Sequence, residues 1–371
     1  MNKGKEWYVV DNINDLDTPA LVIYPDRVKK NIQSLIASID DVSRLRPHIK
    51  THKSSEVSGF MLEAGIHKFK CATIAEAEIL SLAGASDVLL AYQPVGPKAM
   101  RLATLVKQFP STKFSCLIDN GETAQQLSGI FQSHNLSINV FIDLNVGMNR
   151  TGIVPEDTLT LIKKCSGLSS ISVVGLHAYD GHIRDIDFET RKKNCDFAFT
   201  RVQQLQLDIK KHLDKDLIIV AGGTPTYSIH SKRNDVECSP GTFIYWDTGY
   251  SEILLEQKYL FAALVIARVI SKPTIDSICI DLGHKAIAAE NPLTNRVRFL
   301  NADDLQPIGQ SEEHMTLKVT SDKVYRVGDL LYGVPYHVCP TIALHDRPAI
   351  IEDNNVTGYW TTLSRNRKIT I

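Results

Sequence analysis

Two histidines and two lysines fall within six residues in the first third of the chain. Residues 46–53 read RPHIKTHK and begin within a short apolar run. A lysine at the end of a buried strand, with other cations beside it, can have its pKa lowered, and its neutral amine can then form a Schiff base. A basic loop on a solvated rim is the plain alternative. Lys50 is therefore a candidate nucleophile, and His48 and His52 are candidate acid or base groups.

Two later segments carry polar groups that suit the same chemistry. In NVGMNRTG at 145–152, glycines flank Arg150, so the backbone can turn tightly and aim the guanidinium at an anionic or phenolic oxygen. In YDGH at 179–182, Tyr179 and His182 suit stacking, hydrogen bonding or proton transfer. An exposed arginine in a turn and an ordinary loop histidine are the alternatives.

Glycines and threonines recur in two segments that could hold a phosphate group. Gly222, Gly223 and Thr224 follow the apolar run LIIVA, and Gly241 and Thr242 follow DVECSP. Paired glycines free backbone N–H groups and the threonines add hydroxyls, which together can cradle a phosphate. One Gly-Gly pair is weak evidence alone, and the two segments together are stronger.

A histidine and a cysteine stand two positions apart near the C-terminus, in PYHVCP at 335–340. On an extended segment His337 and Cys339 face the same way, because side chains alternate along a strand. Imidazole and thiolate are ligands that suit Zn²⁺, and two protein ligands leave positions open for water or substrate. A buried thiol beside an ordinary histidine is the alternative.

The elements that must position these groups alternate between short apolar runs and segments with helical spacing. Eight runs of this kind within about 200 residues predict a parallel (β/α)₈ barrel of TIM type, whose polar strand ends meet at one face. A doubly wound open sheet is the structural alternative. The runs are LRPHIK (45–50), KFKCA (68–72), DVLLAY (87–92), KFSCLI (113–118), INVFIDLN (138–145), ISVVGLHAY (171–179), LIIVAGG (217–223) and DVECSPG (235–241).

The pattern of apolar and polar residues changes after about residue 255. Segments such as YLFAALVIARVIS, HMTLKVT and TGYWTTL are rich in β-formers and carry little helical periodicity. They predict a mostly antiparallel β domain over residues 256–371, following a barrel over residues 26–255. One apolar run before the barrel, ALVIY at 20–24, is left without a place in it.

Composition excludes several broad classes. The 371 residues contain 41 Lys+Arg and 42 Asp+Glu, giving a formal net charge of -1, so no strong basic field is available to hold nucleic acid or an anionic membrane. Seven cysteines are scattered singly, which is a poor disulfide framework. No apolar signal core or membrane-length run is present. We therefore expect a cytoplasmic protein with reduced thiols.

These segments together resemble the D-threonine aldolase and D-serine dehydratase group of pyridoxal 5'-phosphate enzymes, which have the alanine-racemase-like fold (fold type III). The resemblance runs in order over nearly the whole chain, and RPHIKTHK and the late His-x-Cys are its most specific parts. The matching segments are DTPALVIY (17–24), RPHIKTHK (46–53), CATIAEAEIL (71–80), NVGMNRTGI (145–153), YDGH (179–182), GGTPT (222–226), SPGTFIYWD (239–247), DLGHKA (281–286), EEH (312–314) and PYHVCPT (335–341).

The resemblance implies a role for each candidate. Lys50 would hold the cofactor, Arg150 would hydrogen-bond its phenolic oxygen, and Tyr179 would lie by its ring. The segment from Gly222 to Thr224 would bind the phosphate, and His337 and Cys339 would ligate a divalent metal, with Zn²⁺ favoured and Mn²⁺ as the second choice. The resemblance also implies a homodimer, and an N-terminal segment, residues 1–25, whose strand packs with the β domain.

The implied substrate is a small D-β-hydroxy amino acid. Pyridoxal phosphate serves as an electron sink, and the protein decides which bond to Cα breaks. Loss of the hydroxyl group gives a 2-oxo acid and ammonia, whereas Cα–Cβ cleavage gives glycine and an aldehyde. The aldolases of this group tend to carry an acidic residue where this chain has Cys339, which favours a dehydratase. An amino-acid racemase and a non-catalytic carrier of the cofactor are the alternatives.

Overall fold

The structure is a computed structural model that describes residues 6–371, so residues 1–5 of the expected N-terminal segment lie outside the described residues. It contains one sheet of seven strands and one sheet of nine. Within the described range, none of the helices combines the length and the apolar character needed to cross a membrane.

The first part of the chain alternates strands and helices, as the apolar runs predict. Ser54, Thr73 and Asn120 each cap the helix that follows, because their side chains accept a hydrogen bond from the backbone N–H three residues on. In chain order the elements are β1 (Ala20–Ile23), α1 (Pro25–Ala37), α2 (Ser55–Glu63), β2 (Lys68–Cys71), α3 (Ile74–Leu82), β3 (Asp87–Leu90), α4 (Pro97–Gln108), β4 (Lys113–Ile118), α5 (Gly121–Ser133), β5 (Ile138–Leu144), α6 (Thr158–Cys165), β6 (Ile171–Ala178), α7 (Phe188–Leu213), β7 (Ile218–Ala221), α8 (Tyr227–His230), β8 (Val236–Cys238) and α9 (Thr248–Ile253).

Strands β2 to β8 form a parallel sheet in which spatial order follows chain order. A doubly wound sheet would reverse its order at a switch point, so this alternative is excluded. The sheet curls until both edges reach the same segment, where Leu45 bridges Cys238 of β8 and His48 bridges Lys70 of β2. The architecture is therefore barrel-like.

The prediction of a closed eight-stranded barrel is confirmed only in part, because residues 45–50 form no strand. Pro47 has no N–H to donate to a neighbouring strand. The chain then turns into a 3₁₀ helix at Ile49–Thr51, where the His48 side chain accepts the backbone N–H of Lys50. Two isolated bridges thus replace the expected first strand.

Ion pairs join the two edges of the curled sheet at the gap between β8 and β2, here called the seam. Arg46, which is 1% exposed, donates to Glu237 of β8 at 2.7 Å and to Asp87 of β3 at 2.6 Å. Lys68, at the start of β2, donates to the second oxygen of Glu237 at 2.6 Å. Buried charges that are paired in this way join strands on both sides of the gap.

The enclosed face of the curled sheet is filled by side chains. Leu89, Leu117, Phe141 and Val220 form a buried cluster contributed by four different strands. Gly175 of β6 leaves room for Phe141, because a Cβ there would lie 2.2 Å from the phenyl ring. The interior is therefore a packed core, and polar groups gather at the carboxyl ends of the strands.

The nine-stranded sheet is mostly antiparallel, as predicted for the C-terminal part of the chain. Strand β1 joins this sheet, where it pairs antiparallel with β9 (Ala263–Thr274) and parallel with β15 (Ala349–Glu352). The remaining elements are β9 (Ala263–Thr274), β10 (Ser277–Ile280), β11 (Val297–Phe299), β12 (Leu305–Gln310), β13 (Met315–Val319), β14 (Leu330–Pro335), α10 (Val338–Leu344), β15 (Ala349–Glu352) and β16 (Asn355–Tyr359).

Candidate active site

Lys50 lies at the mouth of the curled sheet, in the short turn that replaces the first strand. Its side chain is exposed, and its backbone N–H donates to Nδ1 of His48 at 3.3 Å. Because the turn is fixed by the bridges at Leu45 and His48, the lysine is held at the carboxyl end of the sheet. This is where polar strand-end residues were predicted to meet.

Positive charge is concentrated around this turn. Burial lowers the pKa of His48 well below its ordinary value, and Lys50, Lys70 and Lys53 lower it further. Lys70 is itself buried, and burial followed by the charge of Lys50 lowers its pKa from 10.5 to about 7. The mouth of the sheet is therefore a positively charged hollow, which suits an anionic, phosphorylated ligand.

Tyr179 lies in a slot formed by two glycines. A Cβ on Gly181 would lie 2.3 Å from the Tyr179 hydroxyl oxygen, and a Cβ on Gly223 would lie 2.9 Å from its ring. The guanidinium carbon of Arg150 is 5.0 Å from the ring centroid, and the ammonium group of Lys70 is 5.6 Å from it. The structure thus brings together Tyr179, Arg150 and Gly223, which the sequence placed on three separate loops.

The two glycine- and threonine-containing loops also meet. The Thr224 hydroxyl accepts the backbone N–H groups of Gly241 at 3.2 Å and Thr242 at 3.1 Å, and Gln257 donates to the Thr224 carbonyl at 2.8 Å. Gly222 has a φ of +72°, in the left-handed region that favours glycine. The loops after β7 and β8 therefore form one unit.

His337 and Cys339 lie in the segment that directly follows β14, and this segment contacts the mouth of the curled sheet. The Cys339 thiol lies 3.1 Å from the hydroxyl of Thr51 and 3.8 Å from the hydroxyl of Thr242. His337 Nδ1 lies 2.5 Å from a carboxylate oxygen of Glu290. The pair of candidate metal ligands therefore lies next to the Lys50 turn.

The predicted backbone of this pair is wrong. The strand ends at Pro335, His337 caps helix α10, and Cys339 lies in the first turn of that helix instead of on an extended segment. The N–H groups of a helix start need acceptors, and Asp247 accepts the one at Val338 at 3.1 Å. The two side chains still lie close enough to shift each other's pKa.

His337 and Cys339 shift each other's pKa in opposite directions. Burial alone would raise the pKa of the Cys339 thiol, but His337, Lys50 and Thr51 together lower it below its ordinary value. Burial likewise lowers the pKa of His337, but Cys339 and Glu290 raise it to about 9. A thiolate beside an imidazole that a carboxylate orients is a donor set that suits Zn²⁺.

The two remaining predicted catalytic histidines lie in different surroundings. His52 is buried; its Nδ1 accepts the backbone N–H of Ser54 at 3.2 Å, its Nε2 has no partner among the described residues, and burial lowers its pKa to about 3. His182 is exposed and lies over the loop containing Arg150, since a Cβ on Gly147 would meet its Nε2 at 2.8 Å. Their catalytic roles stay predictions.

One buried chain of polar groups was not predicted. Lys70 Nζ lies 3.4 Å from His177 Nε2, and His177 Nδ1 lies 2.7 Å from Asp143. The lowered pKa of Asp143 keeps it ionised, so it accepts the Nδ1 proton and leaves Nε2 to accept from Lys70. Lys70, the second lysine of the run KFKCA and one flanked by Phe69 and Cys71, was the signal that could have identified this group.

A second buried cluster has the residue types of a metal site. Asp180, Cys195 and His230 place one ligand atom each within 4.8 Å of one another. Arg233 donates to His230 Nδ1 at 3.0 Å, so Nε2 carries the proton of the neutral ring and points it at Asp180, 2.9 Å away. That proton occupies the place a metal ion would need. The cluster therefore acts as a hydrogen-bonded support beneath Gly222, whose added Cβ would meet His230 at 2.7 Å.

Comparison with known proteins agrees with this arrangement. Residues 23–249 match the family described as alanine racemase, N-terminal domain, and residues 262–351 match a serine dehydratase domain. The chain belongs to the alanine racemase N-terminal domain family. The family resemblance drawn from the sequence is therefore confirmed, and pyridoxal phosphate is the cofactor expected of this family.

Relatives extend over nearly the whole chain. A D-threonine aldolase from Arthrobacter sp is 27% identical over 96% of this chain and 94% of its own length. A 3-hydroxy-D-aspartate aldolase from Paracoccus denitrificans (strain Pd 1222) is 25% identical over 95% of this chain and 93% of its own length. By name, both relatives carry lyase activities of the predicted class.

Solved structures show the same fold. The crystal structure of D-threonine aldolase from Filomicrobium marinum superimposes with a TM-score of 0.87 at 24% identity, covering 97% of this chain and 98% of that one. D-threo-3-hydroxyaspartate dehydratase from Delftia sp. HT23 superimposes with a TM-score of 0.81 at 22% identity, covering 94% and 98%.

Proposed function

We propose that the chain is a pyridoxal-phosphate- and metal-dependent lyase that acts on D-β-hydroxy amino acids. The observation that carries the proposal is the contact between the Lys50 turn and the candidate metal ligands, in which Thr51 and Cys339 lie 3.1 Å apart. A cofactor-bearing lysine and a metal beside it are what a lyase of β-hydroxy amino acids needs. A racemase or a carrier has no use for the second group.

The residues around Lys50 fit the cofactor. The glycines at 181 and 223 let the Tyr179 side chain pack directly against their backbone, and a Cβ at either position would displace it. We propose that Lys50 holds the cofactor, that Arg150 and Tyr179 contact its ring, and that the phosphate group is bound by the backbone of the two joined loops. Those loop residues are Gly222, Gly223, Thr224, Gly241 and Thr242. When bound, pyridoxal phosphate supplies an electron sink for the bond broken at Cα.

The His337 and Cys339 side chains fit a divalent ion, for which we propose Zn²⁺ first and Mn²⁺ second. Their donor set is one imidazole and one thiolate, and the Glu290 carboxylate orients the imidazole. When bound, such an ion supplies Lewis acidity toward a hydroxyl group. Among the solved structures, a cysteine-to-alanine variant of D-threo-3-hydroxyaspartate dehydratase is described as being in the metal-free form.

The chain's own groups then divide the work. We propose that the Lys50 amine takes the proton from Cα and that His337 and Cys339 lie on the side of the pocket that receives the β-hydroxyl. Because position 339 is a cysteine and not an acidic residue, we propose loss of water as the main reaction and Cα–Cβ cleavage as the secondary one.

A product assay tests the proposal. D-Serine and D-threonine, their L-isomers and added Zn²⁺ or Mn²⁺ are supplied, and pyruvate, 2-oxobutyrate and glycine are measured separately. We expect 2-oxo acid from the D-isomers, with none from the L-isomers. Formation of the mirror-image amino acid without a 2-oxo acid or glycine would instead show a racemase.

Two variants test the assigned residues. In the parent protein, borohydride should attach the cofactor covalently at Lys50, as located by peptide mapping, and Lys50→Ala should lose the visible absorbance band. Cys339→Ala should keep that band and lose turnover. A lyase that stays fully active after complete chelation would remove the metal from the proposal.

We also propose the expected assembly and domain organisation. The domains are an N-terminal segment (1–25), a cofactor-binding barrel (26–255) and a C-terminal β domain with the metal motif (256–371). A homodimer stays a prediction, and light scattering of the cofactor-loaded protein tests it.

A further inference from the structure

A small cavity adjoins the candidate metal ligand His337. Its volume is about 170 Å³, and its lining includes Arg184, Tyr250, Asn291 and Tyr336. A space of this size holds the side chain of an amino acid but excludes a large ligand. If the β-hydroxyl lies at His337, this cavity offers space next to it for another group on the same β-carbon.

Arg184 is an exposed cation that lines the cavity. Its Nε donates to the carbonyl oxygen of Gly181 at 2.8 Å, which fixes the base of the guanidinium beside the Tyr179 slot. Across residues 6–371 no carboxylate forms an ion pair with Arg184, and its terminal nitrogens make no hydrogen bond. Its charge reaches the cavity wall, since it opposes the rise in the pKa of Tyr250 that burial causes.

The acidic groups near the cavity are already engaged elsewhere. Asp247 accepts the backbone N–H of Tyr250 at 2.9 Å and that of Val338 at 3.1 Å. Glu252 accepts the hydroxyl of Tyr336 at 3.1 Å. Neither carboxylate pairs with Arg184, so the guanidinium fork is available to an incoming anion.

We propose that this cavity binds the β-substituent of the substrate and that Arg184 pairs with a carboxylate on it. The preferred substrates are then D-β-hydroxy amino acids with a second carboxylate, that is, 3-hydroxy-D-aspartate. This inference rests on the proposed lyase function and names its substrate class. A planar guanidinium binds a carboxylate through two parallel hydrogen bonds, whereas the methyl group of D-threonine leaves the cation without a partner.

The test compares selectivity between two substrates. The ratio of kcat/KM for 3-hydroxy-D-aspartate to that for D-threonine is measured in the holoenzyme, in Arg184→Gln and in Arg184→Lys. We expect the parent protein to prefer 3-hydroxy-D-aspartate, and the ratio to fall about 100-fold in Arg184→Gln, mainly through KM. Arg184→Lys should recover part of the ratio, because lysine keeps the positive charge but cannot form the two parallel hydrogen bonds of a guanidinium.

Arg326→Gln is the matched control, since this exposed arginine lies in the loop before β14, away from the cavity. Its ratio should equal that of the parent protein. If the parent protein prefers D-threonine or D-serine, the inference is overturned and the lyase proposal stands. The same holds if Arg184→Gln lowers kcat/KM equally for both substrates. If no D-β-hydroxy amino acid is consumed, the lyase proposal itself fails. Cofactor absorbance confirms that each variant is folded and loaded.

Discussion

Lys70 is the residue whose replacement tests the electrostatics of the site most directly. It is 2% exposed, and its ammonium group lies 3.4 Å from His177 Nε2. Burial, followed by the charge of Lys50, lowers its pKa from 10.5 to about 7. Lys70→Met keeps an unbranched side chain of similar volume and removes the charge, so it isolates the energy of placing an ammonium group there.

The magnitude follows from the pKa. Each tenfold change in proton affinity is worth about 1.4 kcal/mol, so a fall from 10.5 to about 7 corresponds to about 5 kcal/mol. Between pH 7 and 10.5 the unfolded chain binds a proton that the folded chain does not, so stability rises with pH in this window. The full cost is therefore present below pH 7 and disappears above pH 10.5. Losing the partner of His177 offsets about 1–3 kcal/mol of the gain.

We therefore expect Lys70→Met to be more stable than the parent chain by about 2–4 kcal/mol at pH 6, and to lose this advantage by pH 10. Urea unfolding of both cofactor-free proteins at pH 6, 7, 8, 9 and 10 measures it. Lys272→Met, at an exposed lysine of strand β9, is the control and should show no such pH dependence. A Lys70→Met protein that is less stable at pH 6, or a stability difference that does not change with pH, would refute the reasoning.

Two further substitutions test the ion pairs of Arg46 and the packing of Tyr179 against Gly223. Arg46→Met should lower the unfolding free energy by about 2–3 kcal/mol, because it removes the charged hydrogen bonds of Arg46 to Glu237 and Asp87 while Lys68 still pairs with Glu237, and a thermal midpoint equal to that of the parent chain would contradict the role of the ion pairs. Gly223→Ala should weaken cofactor binding by at least about tenfold in an absorbance titration, because its Cβ would meet the Tyr179 ring at 2.9 Å. Gly59→Ala, where a Cβ meets open space in helix α2, should bind the cofactor unchanged, and equal affinities for both variants would count against the slot.

The sequence predicted the parallel strands because each is a short apolar run between helix signals. KFSCLI, for example, became β4, buried along nearly its whole length. The first predicted strand does not form, because the apolar run at 45–50 contains Pro47, which has no N–H to donate to a neighbouring strand. Closure of the seam depends on Arg46 reaching Glu237, a residue 191 positions later, which no local pattern reports.

The loop residues of the site could be predicted because parallel strands bring their carboxyl ends to one edge. Residues that act through contacts between strands could not. From the sequence alone, Lys70 is an ordinary strand residue. Only the bridge between His48 and Lys70 of β2 places it below the Lys50 turn. Glu290 lies 47 positions before His337 and has no motif around it, so its contact with the imidazole depends on the tertiary fold.

The position of Cys339 explains why the site needs both sheets. Its sulfur contacts Thr51 of the Lys50 turn and Thr242 of the loop after β8, while its backbone belongs to the helix that follows β14. The thiol would have a raised pKa from burial alone, so its ionisation depends on His337 from the same loop and on Lys50 from the curled sheet. The groups that lower the pKa of Cys339 therefore come from both parts of the molecule. They act together only where the segment after β14 meets the mouth of the curled sheet, beside the lysine proposed to hold the cofactor.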